Sequence, residues 1–175
     1  MPIDSARPFV PVQLAILTVS DTRTAADDKS GDLLVERATT AGHRVVARRI
    51  VPDDQGTIEK TLRELIAAPE IDVVIATGGT GVTGRDVTPE AFHAVYEKEI
   101  AGFGELFRFL SYATIGTSTI QSRATAGVAG GTYLFALPGS TGACKDAWDQ
   151  ILGQQLDSRF RPCNFVELMP RLKER

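Results

Sequence analysis

One stretch, residues 71–90 (IDVVIATGGTGVTGRDVTPE), constrains the fold more than any other part of the chain. The β-branched apolar run at 73–75 predicts a strand buried on both faces. It is followed by a glycine-rich segment at 77–81 and then by TPE at 88–90, which is typical of a helix start. α/β proteins use this succession to present backbone N–H groups to an anionic ligand. The acidic Asp86 lies beside the loop and would repel a phosphate unless a metal ion or a ribose hydroxyl lay between them.

The surrounding sequence alternates strand and helix patterns. Strands are predicted at 13–19, 43–51, 72–77, 124–128 and 132–137, the last two joined as a hairpin through Ala129-Gly130-Gly131. Helices are predicted from the caps Ser30, Thr57 and Thr88, and at 105–112, 143–154 and 165–169. Strands separated by helix-length connections favour a parallel sheet. The predicted fold class is therefore α/β, a three-layer αβα arrangement with a mostly parallel central sheet and a small β-hairpin.

Composition limits the number of domains and the classes of function. With 175 residues, 43% of them apolar, residues 13–175 are expected to form a single domain. Residues 1–12 carry three prolines and are expected to be an extended arm, either disordered or laid across a neighbouring subunit. The 19 basic and 22 acidic residues are interspersed, which argues against nucleic-acid binding. No apolar run reaches the roughly 18 residues of a membrane span, and no signal-peptide pattern occurs, so a cytoplasmic location is expected.

The glycine loop also matches two nucleotide-binding patterns in part. Residues 79–84 fit G-x-G-x-x-G, but Arg85-Asp86-Val87 separates these glycines from the predicted helix. No acidic residue ends a strand about 20 positions later, as a dinucleotide fold requires. A nicotinamide-dependent oxidoreductase is therefore only a weak alternative. A Walker loop is excluded because no Gly-Lys-Ser/Thr follows.

Polar residues follow the predicted strands at three points: Ser20-Asp21, the loop at 77–86, and the segment at 138–140. In open α/β sheets, ligands bind outside the carboxyl ends of the strands. The three segments are therefore expected to form one pocket of backbone donors, hydroxyls and carboxylates. Asp53 and Asp86 are the candidate ligands for Mg²⁺, which usually takes one or two protein carboxylates together with phosphate oxygens and water. Asp53 could equally begin a Pro-Asp turn.

Three further side chains are considered as candidate site residues. Arg123 and Cys144 each have a functional and a structural interpretation, whereas His43 has only a structural one. Arg123, next to Ser122, could bind a phosphate through two N–H groups or could be a solvated arginine. Cys144 follows Ser140 at a helix start, where its pKa could be lowered, or it could be a small buried apolar residue. His43, like His93, is expected to be a surface or helix-face residue.

Four motifs occur in an order that resembles a known family. They are TGGTG-x₄-DVTPEA from residue 77, AGFGELFR from residue 101, the pair Ser122-Arg123, and LPGS from residue 137. In this order they resemble the MoaB and Mog family of molybdenum cofactor biosynthesis, and the MoaB branch in particular. The resemblance implies a molybdopterin-binding fold that forms trimers, which in MoaB-like members often pair into hexamers. It also implies that the protein binds molybdopterin and adenylylates it with Mg-ATP, releasing pyrophosphate.

The resemblance assigns a role to each matching residue. The nucleotide phosphates would contact Thr77, Gly78, Gly79, Thr80 and Gly81. Asp53 and Asp86 match the functional aspartates, with Asp86 holding Mg²⁺ or assisting catalysis and Asp53 supporting it. The pterin and its phosphate would contact Ser20, Asp21, Ser122, Arg123, Pro138, Gly139 and Ser140. The loop lacks the proline and second arginine that Mog-like enzymes tend to have, so the alternative is a non-catalytic molybdopterin-binding or carrier protein.

Overall fold

The computed structural model describes residues 3–174, in which six strands are flanked by helices. The strands are β1 (Gln13–Val19), β2 (Arg44–Val51), β3 (Val73–Thr77), β4 (Lys98–Glu99), β5 (Thr125–Ala129) and β6 (Thr132–Leu137). The α-helices are α1 (Lys29–Thr40), α2 (Gln55–Ala67), α3 (Thr88–His93), α4 (Ala101–Ile115), α5 (Thr141–Ala147), α6 (Gly153–Gln155) and α7 (Phe165–Leu168). Short 3₁₀ helices cover Gly116–Gln121 and Met169–Arg171, and Trp148–Leu152 is π-helical.

The strands form one mixed sheet in the order β2-β1-β3-β6-β5-β4. β2, β1, β3 and β6 are parallel, whereas β5 is antiparallel to β6 and β4 is antiparallel to β5. The hairpin turn between β5 and β6 has positive φ at Gly130 and Gly131, the geometry that two-residue hairpin turns favour. The predicted mostly parallel sheet with a hairpin is confirmed. Its register places Thr18, Thr77 and Leu137 side by side, so β1, β3 and β6 all end at one edge.

Successive residues of the central strands point to opposite faces of the sheet, and both faces are covered. On β3, Val73 and Ile75 pack beneath α1, α4 and α5, whereas Val74 and Ala76 pack beneath α2 and α3. All five residues of β3 are buried, as its continuous apolar sequence predicts. The molecule is therefore the predicted three-layer αβα sandwich.

The predicted helix caps were wrong at three places. α1 is capped by Asp28, whose carboxylate accepts from the Gly31 N–H, so the helix begins before Ser30. α2 is capped by Asp54, which accepts from the Thr57 N–H, so Thr57 already lies inside that helix. α3 begins at Thr88 itself, with no side-chain cap. The capping oxygen comes from an aspartate that lies two residues before Ser30 in α1 and three residues before Thr57 in α2. Aspartate caps helices as well as serine does.

Residues 3–12 lie against the C-terminal part of the same chain; residues 1 and 2 of the predicted arm lie outside the described residues. The Val10 N–H donates to Ser158 Oγ at 2.8 Å, and Ile3 forms an isolated bridge with Phe160. The Val12 N–H donates to Nδ1 of His43, which is only 5% exposed, so its predicted surface position was wrong. No helix in the described part of the chain is long and apolar enough to cross a membrane.

Candidate functional site

The loops that follow β1, β3 and β6 approach one another so closely that two glycines are required. A Cβ atom added at Gly78, where φ is +109°, would lie 2.1 Å from the Val19 carbonyl oxygen. A Cβ atom added at Gly139 would lie 3.2 Å from the Gly78 Cα atom, which is tighter than ordinary van der Waals contact. Any side chain at Gly78 would therefore push the strand ends apart.

Two cavities open on the two sides of this junction. The larger, of about 490 Å³, is lined by eight of the predicted site residues: Gly79, Thr80, Gly81, Asp86, Ser122, Pro138, Gly139 and Ser140. The smaller, of about 290 Å³, is lined by five of them: Ser20, Thr77, Gly78, Gly79 and Gly139. Gly79 and Gly139 line both cavities and form the wall between them. The three strand ends therefore meet at one edge, but their loops line two cavities and not the single pocket that was expected.

The far wall of the larger cavity comes from α4 and the 3₁₀ helix, which sequence reasoning did not place in the site. Its polar members are Ser111, Thr114, Ser118 and Gln121, and Phe107 adds an aromatic surface. These polar residues recur every three or four positions along the segment, which also contains Arg108, Thr117 and Thr119. That helical spacing of hydroxyls was the signal that could have identified the wall.

Asp86 lies in the loop after β3, beside the glycines, where it was predicted to hold Mg²⁺ or assist catalysis. Its Oδ2 atom accepts hydrogen bonds from the Thr83 N–H at 2.8 Å and from Thr83 Oγ1 at 2.7 Å. Partial burial alone would raise the pKa of Asp86, but the bonds from Thr83 outweigh this effect and hold that pKa below its usual value. The carboxylate is therefore ionised at neutral pH and faces the larger cavity.

Asp53 and Asp21 are neighbours just outside the two cavity linings. The Asp53 N–H donates to Asp21 Oδ1 at 3.1 Å, and Asp21 is paired with Arg85. Partial burial, together with the negative charge of Asp21, raises the pKa of Asp53 above its usual value. Asp53 Oδ1 lies 2.8 Å from the point where a Cβ of Gly79 would be. Asp53 therefore lies beside the glycine loop at Gly79, whereas Asp86 lies beside it at Gly81.

The guanidinium of Arg123 is turned toward the glycine loop and not toward either cavity. Its Nε donates to the Gly81 carbonyl and its Nη2 to the Asp86 carbonyl, both at 2.7 Å. Its Nη1 pairs with Glu90 in the first turn of α3. One side chain thus fixes both ends of residues 81–86, which a bidentate arginine can do and a lysine cannot.

The carboxylates of Asp53 and Asp86 and the hydroxyl of Thr88 place oxygen atoms, the ligand type that Mg²⁺ prefers, beside the loop. Asp53 Oδ1 and Thr88 Oγ1 lie 2.8 and 2.4 Å from the same Cβ point on Gly79, and the Thr88 hydroxyl is buried with no partner among the described residues. Across residues 3–174, no three His, Cys, Asp or Glu side chains are grouped as metal ligands. A Mg²⁺ ion held here would therefore take its remaining ligands from phosphate and water, as this ion usually does.

Cys144 is fully buried behind the junction. Its Sγ atom is 3.1 Å from Thr77 Oγ1 and 3.5 Å from the Pro138 carbonyl. Burial raises the pKa of Cys144 to about 11, so of the two interpretations the small buried residue is correct and the activated thiol is not.

Comparisons with known proteins agree with the motifs. The family described as "Probable molybdopterin binding domain" matches residues 15–158. Molybdenum cofactor biosynthesis protein B of Escherichia coli K12 is 50% identical over 166 residues, which cover 95% of this chain and 96% of that protein. A crystal structure of a molybdenum cofactor biosynthesis protein B has a TM-score of 0.87 and 39% identity, covering 97% of this chain and 100% of its own.

A third protein extends the comparison to a different metal. The tungsten cofactor synthesizing protein MoaB from Pyrococcus furiosus has a TM-score of 0.77 at 34% identity, covering 94% of this chain and 98% of its own. The similarity in both sequence and structure extends over nearly the whole domain. The chain therefore belongs to the MoaB and Mog family of molybdenum cofactor biosynthesis proteins.

Proposed function

We propose that this protein acts in molybdenum cofactor biosynthesis by binding molybdopterin at the edge where β1, β3 and β6 end. The observation that carries the proposal is the pair of cavities on the two sides of the glycine loop. One cavity is large and partly apolar, which suits a pterin ring against Phe107. The other is small and lined by hydroxyls, glycines and Arg23, which suits a charged group.

We propose further that the bound molybdopterin is adenylylated. A phosphate oxygen of molybdopterin would attack the α-phosphorus of ATP, forming a P–O bond while the bond to pyrophosphate breaks. The Gly78 N–H is bonded to the Leu137 carbonyl, so the backbone N–H groups of residues 79–81 would hold the nucleotide phosphates. Arg123, bonded to the Gly81 carbonyl, would keep this loop in place. Mg²⁺ would neutralise phosphate charge as the leaving group forms. Asp53, Asp86 and the Thr88 hydroxyl would hold that ion at the loop, with phosphate oxygens and water as its other ligands.

Substitution of Asp86 distinguishes a role in adenylylation from a role in binding molybdopterin. Asp86→Asn removes the charge of Asp86 but keeps a side-chain oxygen that can accept from Thr83. With molybdopterin, Mg²⁺ and α-labelled ATP, the variant should form adenylylated pterin at least about 100-fold more slowly, while its affinity for molybdopterin changes less than about threefold. Asp149→Asn is the matched control, because Asp149 pairs with Arg37 at an exposed position. Equal loss of turnover and pterin binding in Asp86→Asn would contradict the proposed role.

One observation favours a second candidate, a non-catalytic molybdopterin carrier. Arg85, a cation of the glycine loop, is paired with Asp21, and Arg123 is engaged with the loop backbone and Glu90. Asp21, Asp53 and Asp86 would repel a triphosphate in the absence of Mg²⁺. If the native protein binds molybdopterin but yields no labelled product with Mg-ATP, the carrier function is correct and the enzymatic one is wrong.

We also propose that the protein forms a homo-oligomer, a trimer or a pair of trimers. Five large apolar side chains within residues 106–120 are at least 44% exposed: Leu106, Phe109, Tyr112, Ile115 and Ile120. Half of the exposed large apolar side chains of the described residues lie in this one segment. An apolar group of this kind on a folded domain is typical of a protein interface.

A further inference from the structure

The Gly139 carbonyl receives two hydrogen bonds from a chain segment that no sequence motif assigned to the site. Ser30 Oγ donates to it at 2.8 Å and Arg23 Nη2 donates at 3.3 Å. The Arg23 Nη1 atom also donates to Ser30 Oγ at 3.3 Å. Because Gly139 lines both cavities, these two donors act on the wall between them.

Ser30 holds its position because Asp28 organises the start of α1. The Asp28 side chain is completely buried, and its Oδ1 accepts from the Gly31 N–H at 3.0 Å. Its Oδ2 accepts from Thr18 Oγ1 at 2.7 Å and from Arg48 Nη2 at 2.9 Å. The carboxylate thus joins β1, β2 and α1 in one place. Ser30, two residues later, is also fully buried, so its hydroxyl has a fixed direction.

The Ser30 hydroxyl does not serve its own helix. A serine near a helix start normally caps the helix or bonds a carbonyl of the preceding turn. Here Asp28 already caps α1, and the Ser30 hydroxyl donates to a residue 109 positions away. Its hydrogen bond therefore fixes the loop after β6 and adds nothing to the backbone bonding of α1.

The glycine loop after β3 is held by different contacts. The Gly78 N–H donates to the Leu137 carbonyl, and the Thr88 N–H donates to the Gly79 carbonyl, both at 3.0 Å. Arg123 fixes the part of the loop from Gly81 onward. Loss of the Ser30 hydroxyl would thus leave the Gly139 carbonyl with only the longer bond from Arg23, while the contacts of the glycine loop remain.

We propose that Ser30 is a positioning residue for pterin binding, with Arg23 as a second donor to the same carbonyl. It holds the carbonyl of Gly139, which lines both cavities, and so sets the position of the wall that Gly139 forms with Gly79. The proposal rests on molybdopterin as the ligand of these cavities. A ligand that reaches into both cavities depends on the position of this wall for its fit in each.

The test compares two buried hydroxyls that each donate to a backbone carbonyl. Ser30→Ala removes the bond to Gly139, whereas Thr61→Ala removes a bond to the Thr57 carbonyl within α2, away from both cavities. The dissociation constant for molybdopterin and the melting temperature are measured for both variants and for the native protein. Ser30→Ala should bind molybdopterin about fivefold more weakly, the change that one neutral hydrogen bond supplies, and Thr61→Ala should bind it like the native protein.

Three outcomes would overturn the proposal, and they are distinguishable. Native affinity in Ser30→Ala shows that the hydroxyl does not position the wall. If Ser30→Ala and Thr61→Ala lose affinity equally, and each loss matches the fall in melting temperature of that variant, Ser30 acts only on stability. If the native protein itself does not bind molybdopterin, the proposed function fails and the positioning role fails with it.

Discussion

At the scale of single residues, Asp28 contributes most to holding separate elements together. It has no exposed side-chain surface, and Arg48, Thr18 and the Gly31 N–H all donate to its carboxylate. Asp28→Ala should lower the free energy of unfolding by about 3 kcal/mol, because it removes a helix cap and leaves a buried hydroxyl without its acceptor. Urea denaturation measures this loss.

Asp32 supplies the matched control for that substitution. It also pairs with Arg48 and also lies in the first turn of α1, but its side chain is 57% exposed. Asp32→Ala should therefore cost less than about 1 kcal/mol. A similar cost for both substitutions would show that burial of the Asp28 carboxylate is not what matters.

The charge of Asp28 also predicts how stability depends on pH. Burial alone would raise its pKa, but the bonds from Arg48 and Thr18 outweigh burial and hold the pKa below 3.8, the value expected in the unfolded chain. A group with a lowered folded pKa stabilises the protein above its unfolded pKa, and this stabilisation is lost as pH falls through the folded pKa. The difference in unfolding free energy between native protein and Asp28→Ala should thus be constant from pH 7 to 5 and shrink below pH 4. A difference that persists unchanged at pH 3 would contradict this linkage.

At the scale of elements, the glycine loop depends on a side chain from the segment before β5. Arg123→Lys keeps the charge but cannot donate to Gly81, Asp86 and Glu90 together. Backbone amides of residues 82–86 should therefore exchange with deuterium at least about tenfold faster, since their opening is no longer opposed by two charged hydrogen bonds. Arg49→Lys, at the exposed pair with Glu64 on β2, is the control and should leave this exchange unchanged. If the amide exchange rates of residues 82–86 in Arg123→Lys equal those of the native protein, the loop is rigid without the Arg123 hydrogen bonds.

Elements with a strong local pattern were predictable from sequence, and features set by distant packing were not. β1, β3 and the hairpin follow from continuous apolar runs and from Gly130-Gly131, whereas the two residues of β4 carry no pattern of their own. The strand-end loops could be assigned to one edge because parallel strands end together. Ser30 could not be assigned to the site, because its role depends on where the chain brings Gly139 more than a hundred residues later.

At the scale of the whole molecule, the exposed apolar residues of α4 predict self-association. Phe109 is the most exposed of the large apolar side chains on α4, at 76%. Phe109→Glu should shift the mass measured by light scattering toward that of the monomer, because an interface core does not accommodate an unpaired charge. Leu168→Glu, at a 43% exposed position on α7, is the control and should keep the native mass. A native mass in Phe109→Glu would place the interface elsewhere.

Val12 and Lys173, which belong to the two terminal segments, lie at the edge where the parallel strands begin. Val12 leads directly into β1, and Lys173 packs against Gly131, the residue before β6. The two cavities open at the opposite edge, after β1, β3 and β6 have ended. Further polypeptide joined at either end would therefore leave from the side away from the cavities. The edge at which the cavities open is thus free of both terminal segments.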